Sequence, residues 1–259
     1  MTAKEINCKR IPIFNYNTII TSLIPDTKSL EIKFLHNYFT QETLFELESV
    51  LAWSATHQEI QSIFITTINS RFIQGIDAAE IKNYSKEKCS KFLLKISMIS
   101  ESLLCLPQTV IVDMKNGASG AGLEFALAAD IRLADKGAQY QFNYLSQGLV
   151  PSAGLFSFLR PYLNKNILRT LLLTEKVFSN IELMSLGSTS EINQSIDELL
   201  QNICNQSPIA RIQTKLGLQN NVNDLQEKIL NTVLFTEDYK QENNFMVPSA
   251  FKEKLREIN

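Results

Sequence analysis

Histidine is almost missing from this chain of 259 residues: His36 and His57 are the only two. A Ser-His-Asp triad or a histidine-rich metal site is therefore poorly supplied. Cysteine is also sparse. Cys8, Cys89, Cys105 and Cys204 are scattered, and no two share a spacing suited to a metal. They read as free thiols of a cytosolic chain, with no metal expected. Neither sign of charge dominates: 25 Lys and Arg face 27 Asp and Glu, for a net charge of −2. That leaves no basic footprint for nucleic acid and no polybasic membrane patch. No apolar run approaches the ~18 residues of a transmembrane helix. The start, Met1-Thr-Ala-Lys-Glu-Ile-Asn-Cys8, carries no apolar signal core, so a cytoplasmic location is expected.

What is present is a soluble composition with material for a core, 44% apolar and 20% charged. The length suits one large domain or two small ones. Residues 11–24 and Ser29–Phe34 read as strands; in the second, Leu30, Ile32 and Phe34 alternate with polar residues. Thr40 is placed to cap a helix reaching about Trp53, with Leu44, Leu47 and Leu51 on one face. Ser62–Thr67 and Thr109–Met114 are short β-branched strands, and Ile131–Ala134 is a further one. Asp77–Tyr84 and Lys86–Leu106 are expected to be helical. Strands and helices thus alternate as in an α/β domain. Beyond about Arg160 strand signals fade. Ile167–Leu173, Ile181–Leu186, Ser195–Asn205, Leu225–Phe235 and Ser249–Ile258 read as helices. The chain divides into an α/β core over residues 1–190 and a helical region over 191–259, which is expected to cover the core or a partner subunit.

The most informative stretch is Asn116–Asp130, Asn-Gly-Ala-Ser-Gly-Ala-Gly-Leu-Glu-Phe-Ala-Leu-Ala-Ala-Asp. Gly117, Gly120 and Gly122 line a turn that follows an apolar strand and opens a helix. The first turn of a helix presents unpaired backbone N–H groups. Glu124 stands beside those donors. Such a turn holds a carbonyl oxygen and places an acid next to it.

This block resembles the Asn-Gly-x-x-x-Gly-Gly-Gly-x-Glu motif of the crotonase (enoyl-CoA hydratase/isomerase) superfamily. Further likenesses follow in order: Arg71-Phe-Ile-Gln-Gly-Ile-Asp-Ala-Ala-Glu-Ile81, Gly148-Leu-Val-Pro-Ser-Ala-Gly154, Leu173-Thr174 through Leu186-Gly187, Ser207-Pro-Ile-Ala to Thr214-Lys215, and Phe251-Lys-Glu-Lys254. The resemblance implies a crotonase-like spiral of ββα repeats followed by a helical oligomerisation region, assembled as a homotrimer or hexamer. It implies an acyl-CoA or acyl carrier protein thioester as substrate, coenzyme A being part of that substrate rather than a separate cofactor. By position, the backbone N–H groups of Gln74 and Ala121 are expected to form the oxyanion hole. Gly75, Ile76, Gly120, Gly122 and Asn143 are expected to border the substrate, and Lys252 and Lys254 to meet the coenzyme A phosphates.

Hydratases of this family carry a second glutamate twenty residues after the first. Here Tyr144 occupies that place, preceded by Asn143. A phenol with an unperturbed pKa of about 10 is a poor base near neutrality. Glu124 is thus expected to act as the single catalytic carboxylate, with Tyr144 as hydrogen-bond donor or filler. Isomerisation of an enoyl-CoA fits one acid best, with hydration next. A different likeness joins Asn37-Tyr-Phe-Thr-Gln-Glu42 and Tyr140–Gly148 to the polyketide β-branching decarboxylases, which act on acyl carrier protein thioesters but generally lack the helix glutamate. A third reading is a degenerate member that only binds a thioester or a partner.

Overall fold

Six strands pair in the order in which they leave the ribosome: β1 Ile11–Phe14, β2 Ile19–Ile24, β3 Ser29–Phe34, β4 Ser62–Thr67, β5 Thr109–Asp113 and β6 Ile131–Leu133. The computed structural model describes residues 8–57, 59–188 and 195–219. β1 to β3 are antiparallel, and β3 to β6 run parallel. β4 is buried at all six positions, as expected of a parallel strand covered on both faces. The period of two divides its side chains. Ile63 and Ile65 join the main core with Leu30, Ile32, Val110 and Val112. Phe64 faces the other way, against Ile24 and Ile111.

Helices α1 Gln41–Thr56 and α3 Lys86–Cys105 cover the main-core face. Each begins at the residue its chemistry selects. Thr40 Oγ1 accepts from Thr43 N–H at 3.1 Å, and Ser85 Oγ accepts from Lys88 N–H at 3.2 Å, each satisfying an orphan donor of the first turn. Between these two helices, α2 Ala78–Ile81 forms a single turn where a longer helix over Asp77–Tyr84 was expected.

The segments that follow the parallel strands pair with one another through single bridges: Phe39 with Ile76, Arg71 with Lys115, and Ser119 with Gln141. They form an irregular second layer, so each repeat contributes a strand, a cross-layer segment and a helix. The fold is the expected α/β crotonase-like one. Helix α4, Gly120–Leu127, starts from this second layer and is buried along its whole length. Phe125 on α4 anchors it among Phe34, Phe39 and Phe72, at ring centroid distances of 5.6–6.3 Å.

A strand pair escapes the sequence pattern. β7 Gln139–Tyr140 and β8 Phe178–Ser179 are antiparallel and two residues each, too short for any periodicity to register. Around them stand a π-helical turn, Leu155–Leu159, and helices α5 Lys165–Thr174 and α6 Asn180–Leu186. The described helices of the C-terminal part, α7 Ile196–Cys204 and α8 Pro208–Gln219, return to the core. Leu199, Leu200 and Ile203 of α7 close the second face of the sheet over Ile24, Phe64 and Ile111. The expected helices over 225–235 and 249–258 lie outside the described residues.

α8 is held by an unusual group for a core. Lys215 is buried, and its Nζ donates to Leu103 C=O at 2.8 Å, Gln108 C=O at 2.9 Å and Asp130 Oδ2 at 2.7 Å. All three ammonium protons are therefore placed. Asp130 Oδ2 also accepts from Val110 N–H at 2.7 Å, so one carboxylate ties α8, the end of α4 and β5 together. Lys215→Met removes the cation and, with it, the donor shared by Asp130 and the two carbonyls. Breaking one side of a buried pair costs about 3–5 kcal/mol, and Asp130 keeps 23% of its side chain in contact with solvent. A loss of about 3 kcal/mol, at the low end, is expected in urea unfolding. A loss below 1 kcal/mol would show that α8 does not depend on this contact.

Candidate active site

Two loops approach each other at the C-terminal ends of β4 and β5. Residues 72–76 follow β4, and residues 116–120 follow β5. They are joined by backbone hydrogen bonds: Phe72 N–H to Gly117 C=O at 3.0 Å and Ser119 N–H to Ile73 C=O at 3.3 Å. Ser119 Oγ adds a bond to Gln74 C=O at 2.9 Å. On the far side, Phe39 N–H donates to Gly75 C=O at 2.9 Å, and Gln74 N–H donates to Asn37 C=O at 2.6 Å. The first loop is thereby held from both sides.

This arrangement corrects one expectation. The N–H of Gln74 is spent on Asn37 and is not available to an oxyanion. A sequence position alone does not say which way an amide points. Two neighbouring amides differ. Among the described residues, the backbone N–H groups of Ile76 and Ala121 make no hydrogen bond. Ala121 lies in the first turn of α4, where no intrahelical acceptor exists. The two loops lie close together: a Cβ placed on Gly75 would lie 3.6 Å from Ala121 N. Gly75 has φ +118°, which permits the turn that separates Gln74 from Ile76. Gly122 serves closeness rather than conformation. A Cβ there would fall 2.1 Å from Ile73 C=O, so only glycine lets α4 sit against the first loop.

Ile76 and Ala121 both line a cavity of about 430 Å³. Of the residues singled out in the sequence, Gln74, Gly75, Ile76, Gly120, Ala121, Asn143 and Tyr144 line it. Gly122 does not; it supports the site from behind. The sequence reading missed Tyr38, Arg71, Gln141 and Gln147, which make the lining polar. Each falls inside a stretch whose likeness to the family was visible, but the likeness gave none of them a role, because they reach the cavity only through the second-layer segments and the turn after Tyr144. Lys252 and Lys254 lie outside the described residues. Among the described residues, no cluster of His, Cys, Asp and Glu suited to a metal occurs.

Glu124 is fully buried and is not part of the cavity lining. Its carboxylate is held by three donors. Oε2 accepts from Ala153 N–H at 2.9 Å and Leu155 N–H at 2.8 Å; Oε1 accepts from the Tyr144 hydroxyl. Tyr144, itself buried, stands between Glu124 and the cavity. The Gly148–Gly154 turn was legible as a motif, but its role as the wall that receives Glu124 was not. Burial pushes the Glu124 carboxyl up to about 7, against the lowering effect of Tyr144 and of the Leu155 and Ala153 amides. The Tyr144 phenol is raised well above its ordinary value, by burial first and by the neighbouring carboxylate second. The pair thus has one proton that is exchangeable near neutrality and another that is firmly held.

A profile of the family described as enoyl-CoA hydratase/isomerase matches residues 30–257. The short-chain-enoyl-CoA hydratase of Clostridium acetobutylicum is 23% identical over 181 residues, covering 67% of this chain and 69% of that one. Human mitochondrial enoyl-CoA hydratase domain-containing protein 2 is 27% identical over 186 residues, covering 68% of this chain and 63% of its own length. The match therefore spans somewhat less than two thirds of that relative. Among solved structures, enoyl-CoA hydratase from Bacillus anthracis superposes with a TM-score of 0.75 at 21% identity, with 96% of each chain covered. That likeness is one of fold.

The raised Glu124 pKa has a signed consequence for stability. An unfolded glutamate titrates near 4.5 and this one near 7. Between those values the folded chain keeps a proton that the unfolded chain has lost. Stability from this group is full below pH 4.5, falls as pH rises to 7, and is flat above it. The fall amounts to about 3 kcal/mol at ~1.4 kcal/mol per unit. Glu124→Gln preserves the shape, with its carbonyl toward the two amides and its NH2 toward the phenol oxygen. Urea unfolding of both proteins from pH 4.5 to 8 should give a difference that shrinks or reverses across this window. Parallel curves would mean that Glu124 titrates normally.

Proposed function

This chain belongs to the enoyl-CoA hydratase/isomerase family, and within it we propose a proton-shuttling enzyme that acts on an enoyl thioester, with isomerisation of the double bond as its reaction. The observation that carries the reading is the pairing of two unspent amides with a buried, near-neutral carboxyl across one phenol. The thioester oxygen accepts from Ile76 N–H and Ala121 N–H. As a proton leaves the substrate carbon, negative charge moves onto that oxygen. Fixed donors aimed at developing charge contribute ~3–4 kcal/mol each. The positive end of α4 adds to them.

Tyr144 carries the proton because Glu124 has no edge on the cavity. The carbon-bound proton passes to the phenol oxygen as the phenol proton passes to Glu124 Oε1. The phenol then turns its hydroxyl toward the cavity and, with Glu124 supplying the proton, protonates the distal carbon of the dienolate. No free phenolate is formed, so the high Tyr144 pKa is no obstacle. The base strength is that of Glu124, matched to neutral pH. Water addition is disfavoured because Tyr144 fills the place of a second carboxylate.

One observation favours a second reading. Glu124 already receives three donors and presents nothing directly to the substrate. Loss of carbon dioxide from a carboxylated acyl thioester, on coenzyme A or a carrier protein, needs no base. The C–C bond breaks, its electrons enter the enolate held by the two amides, and Tyr144 returns a proton from the pair. Arg71 and the amide side chains of the cavity suit such a substrate's carboxylate.

Incubation in deuterated water separates the readings. With 3-enoyl-CoA, isomerisation should appear with deuterium at the α and γ carbons. Glu124→Gln and Tyr144→Phe should each lower turnover by ~10²–10⁴ with KM little changed. Release of carbon dioxide from a carboxylated thioester without exchange into 3-enoyl-CoA would favour the second reading. If neither reaction occurs and neither variant matters, the site is not catalytic.

A further inference from the structure

Glu175 ends α5 in the left-handed region, at φ +48° and ψ +29°. Glycine is the usual residue at such a place, because a Cβ makes that conformation costly. The chain follows this rule at two nearby ends: Gly148 closes the single turn Leu145–Gln147 at φ +69°, and Gly187 closes α6 at φ +104°. Glu175 departs from it, and its contacts account for the departure. Its Oε2 accepts from Ser146 N–H at 3.0 Å, and its backbone C=O accepts from Gln141 Nε2 at 2.7 Å. The two bonds bracket the segment 141–146. Within that segment Asn143 and Tyr144 line the reaction cavity, and Tyr144 donates to Glu124. Ser146 N–H lies in the first turn after Tyr144 and has no backbone acceptor among the described residues. The remaining bonds of the turn are internal: Gln147 N–H and Leu149 N–H donate to Tyr144 C=O at 3.1 and 2.9 Å, and Gln147 Nε2 donates to Asn143 C=O at 2.8 Å. Those set the shape of the turn; the bonds to Glu175 tie it to α5.

We propose that Glu175 is a positioning residue: its carboxylate anchors the turn after Tyr144, so that the phenol stays on Glu124 at the cavity wall. The inference rests on the proton-shuttling reading above for its effect on turnover. Strained backbone persists where the surrounding structure holds it, and it gathers at functional sites. A glycine at 175 would relieve the strain and keep the bond from Gln141, which uses only the backbone. What it would lose is the acceptor for Ser146. The strained glutamate is thus kept for the one contact that glycine cannot make.

Glu175→Gly separates positioning from stability, because the two move in opposite directions. Its urea midpoint should equal or exceed that of the wild type. The Glu124 titration, followed by carboxyl NMR in protein carrying 13C-labelled glutamate, should move upward by about 0.5 unit, since the Tyr144 bond that holds it down is loosened. Turnover of 3-enoyl-CoA should fall about tenfold with KM little changed. Glu175→Asn, which tolerates the left-handed region but is one methylene shorter, should behave like the glycine variant. Glu175→Gln keeps an acceptor for Ser146 and should match the wild type in titration and turnover. The proposal is overturned if the glycine variant leaves the Glu124 titration unchanged, or if its turnover falls only together with its urea midpoint, which would make Glu175 an ordinary helix cap. It is overturned too if Glu175→Asn behaves as the wild type, because backbone freedom rather than the carboxylate would then be at work. If the wild type turns over no 3-enoyl-CoA, the proton-shuttling reading fails, and the Glu124 titration alone decides whether Glu175 is the anchor.

Discussion

The site depends on a carboxylate that the fold removes from water and then nearly repays. Taking an ionised glutamate out of solvent costs several kcal/mol even after relaxation. Three hydrogen bonds to a charged acceptor return about 1.5–3 kcal/mol each. The two sides are of similar size, so neither protonation state of Glu124 is suppressed. That near-balance is what a carboxyl near 7 expresses. The same bonds have a mechanical effect. Through Ala153 and Leu155, Glu124 fixes the turn that leads into the π-helical segment; through Tyr144, it fixes the wall of the cavity. One side chain on α4 sets both the proton chemistry and the shape of the space around it.

The two loops beside it follow the opposite strategy and leave backbone groups unspent. Nearly every backbone donor around the two loops has an acceptor. Gln74 gives to Asn37, Phe72 to Gly117, Ser119 to Ile73 and Gly120 to Gln141. A buried amide without a partner carries a penalty of about 1–3 kcal/mol. Here that penalty is borne at two adjacent places on the cavity wall, Ile76 and Ala121. The bonds on either side prevent the loops from relaxing to satisfy them. Preorganised donors of this kind need no rearrangement when charge develops on a bound oxygen.

How far the sequence revealed all this depended on the kind of interaction. The strands at Ser29–Phe34 and Ser62–Thr67 have their expected bounds, because β-branched runs and alternation are local signals. The cap at Thr40 was legible for the same reason. The β7–β8 pair was not, since two residues hold no period. The glycine turn and Glu124 were visible as residue types. That the Gln74 amide is spent while the Ile76 amide is not was invisible, because it is decided by where Asn37 C=O lies, 37 positions from Gln74 along the sequence. Glu124 read as an acid near a helix start beside the cavity. Its complete burial follows from a turn about thirty residues later, at 153–155. Lys215 shows the same limit: it was visible only as part of a family-like stretch, and its burial depends on the carbonyls of Leu103 and Gln108, more than a hundred positions away.

The substitution of a tyrosine for a second carboxylate therefore has a different meaning in three dimensions from the one it has in a line of text. In the sequence it is a loss, one acid where two were expected. In the structure Tyr144 does not leave a gap for Glu124 to fill alone; it seals Glu124 away from the cavity. A second carboxylate at that place would put two like charges side by side in a buried site, and one of them would be held neutral. A phenol avoids that conflict, because it donates to the carboxylate and stays neutral itself. The cost is reach: every proton exchanged with a ligand must cross the phenol oxygen. Carboxyl and phenol thereby form one joined proton-holding unit, where the line of text suggests a single acid standing alone.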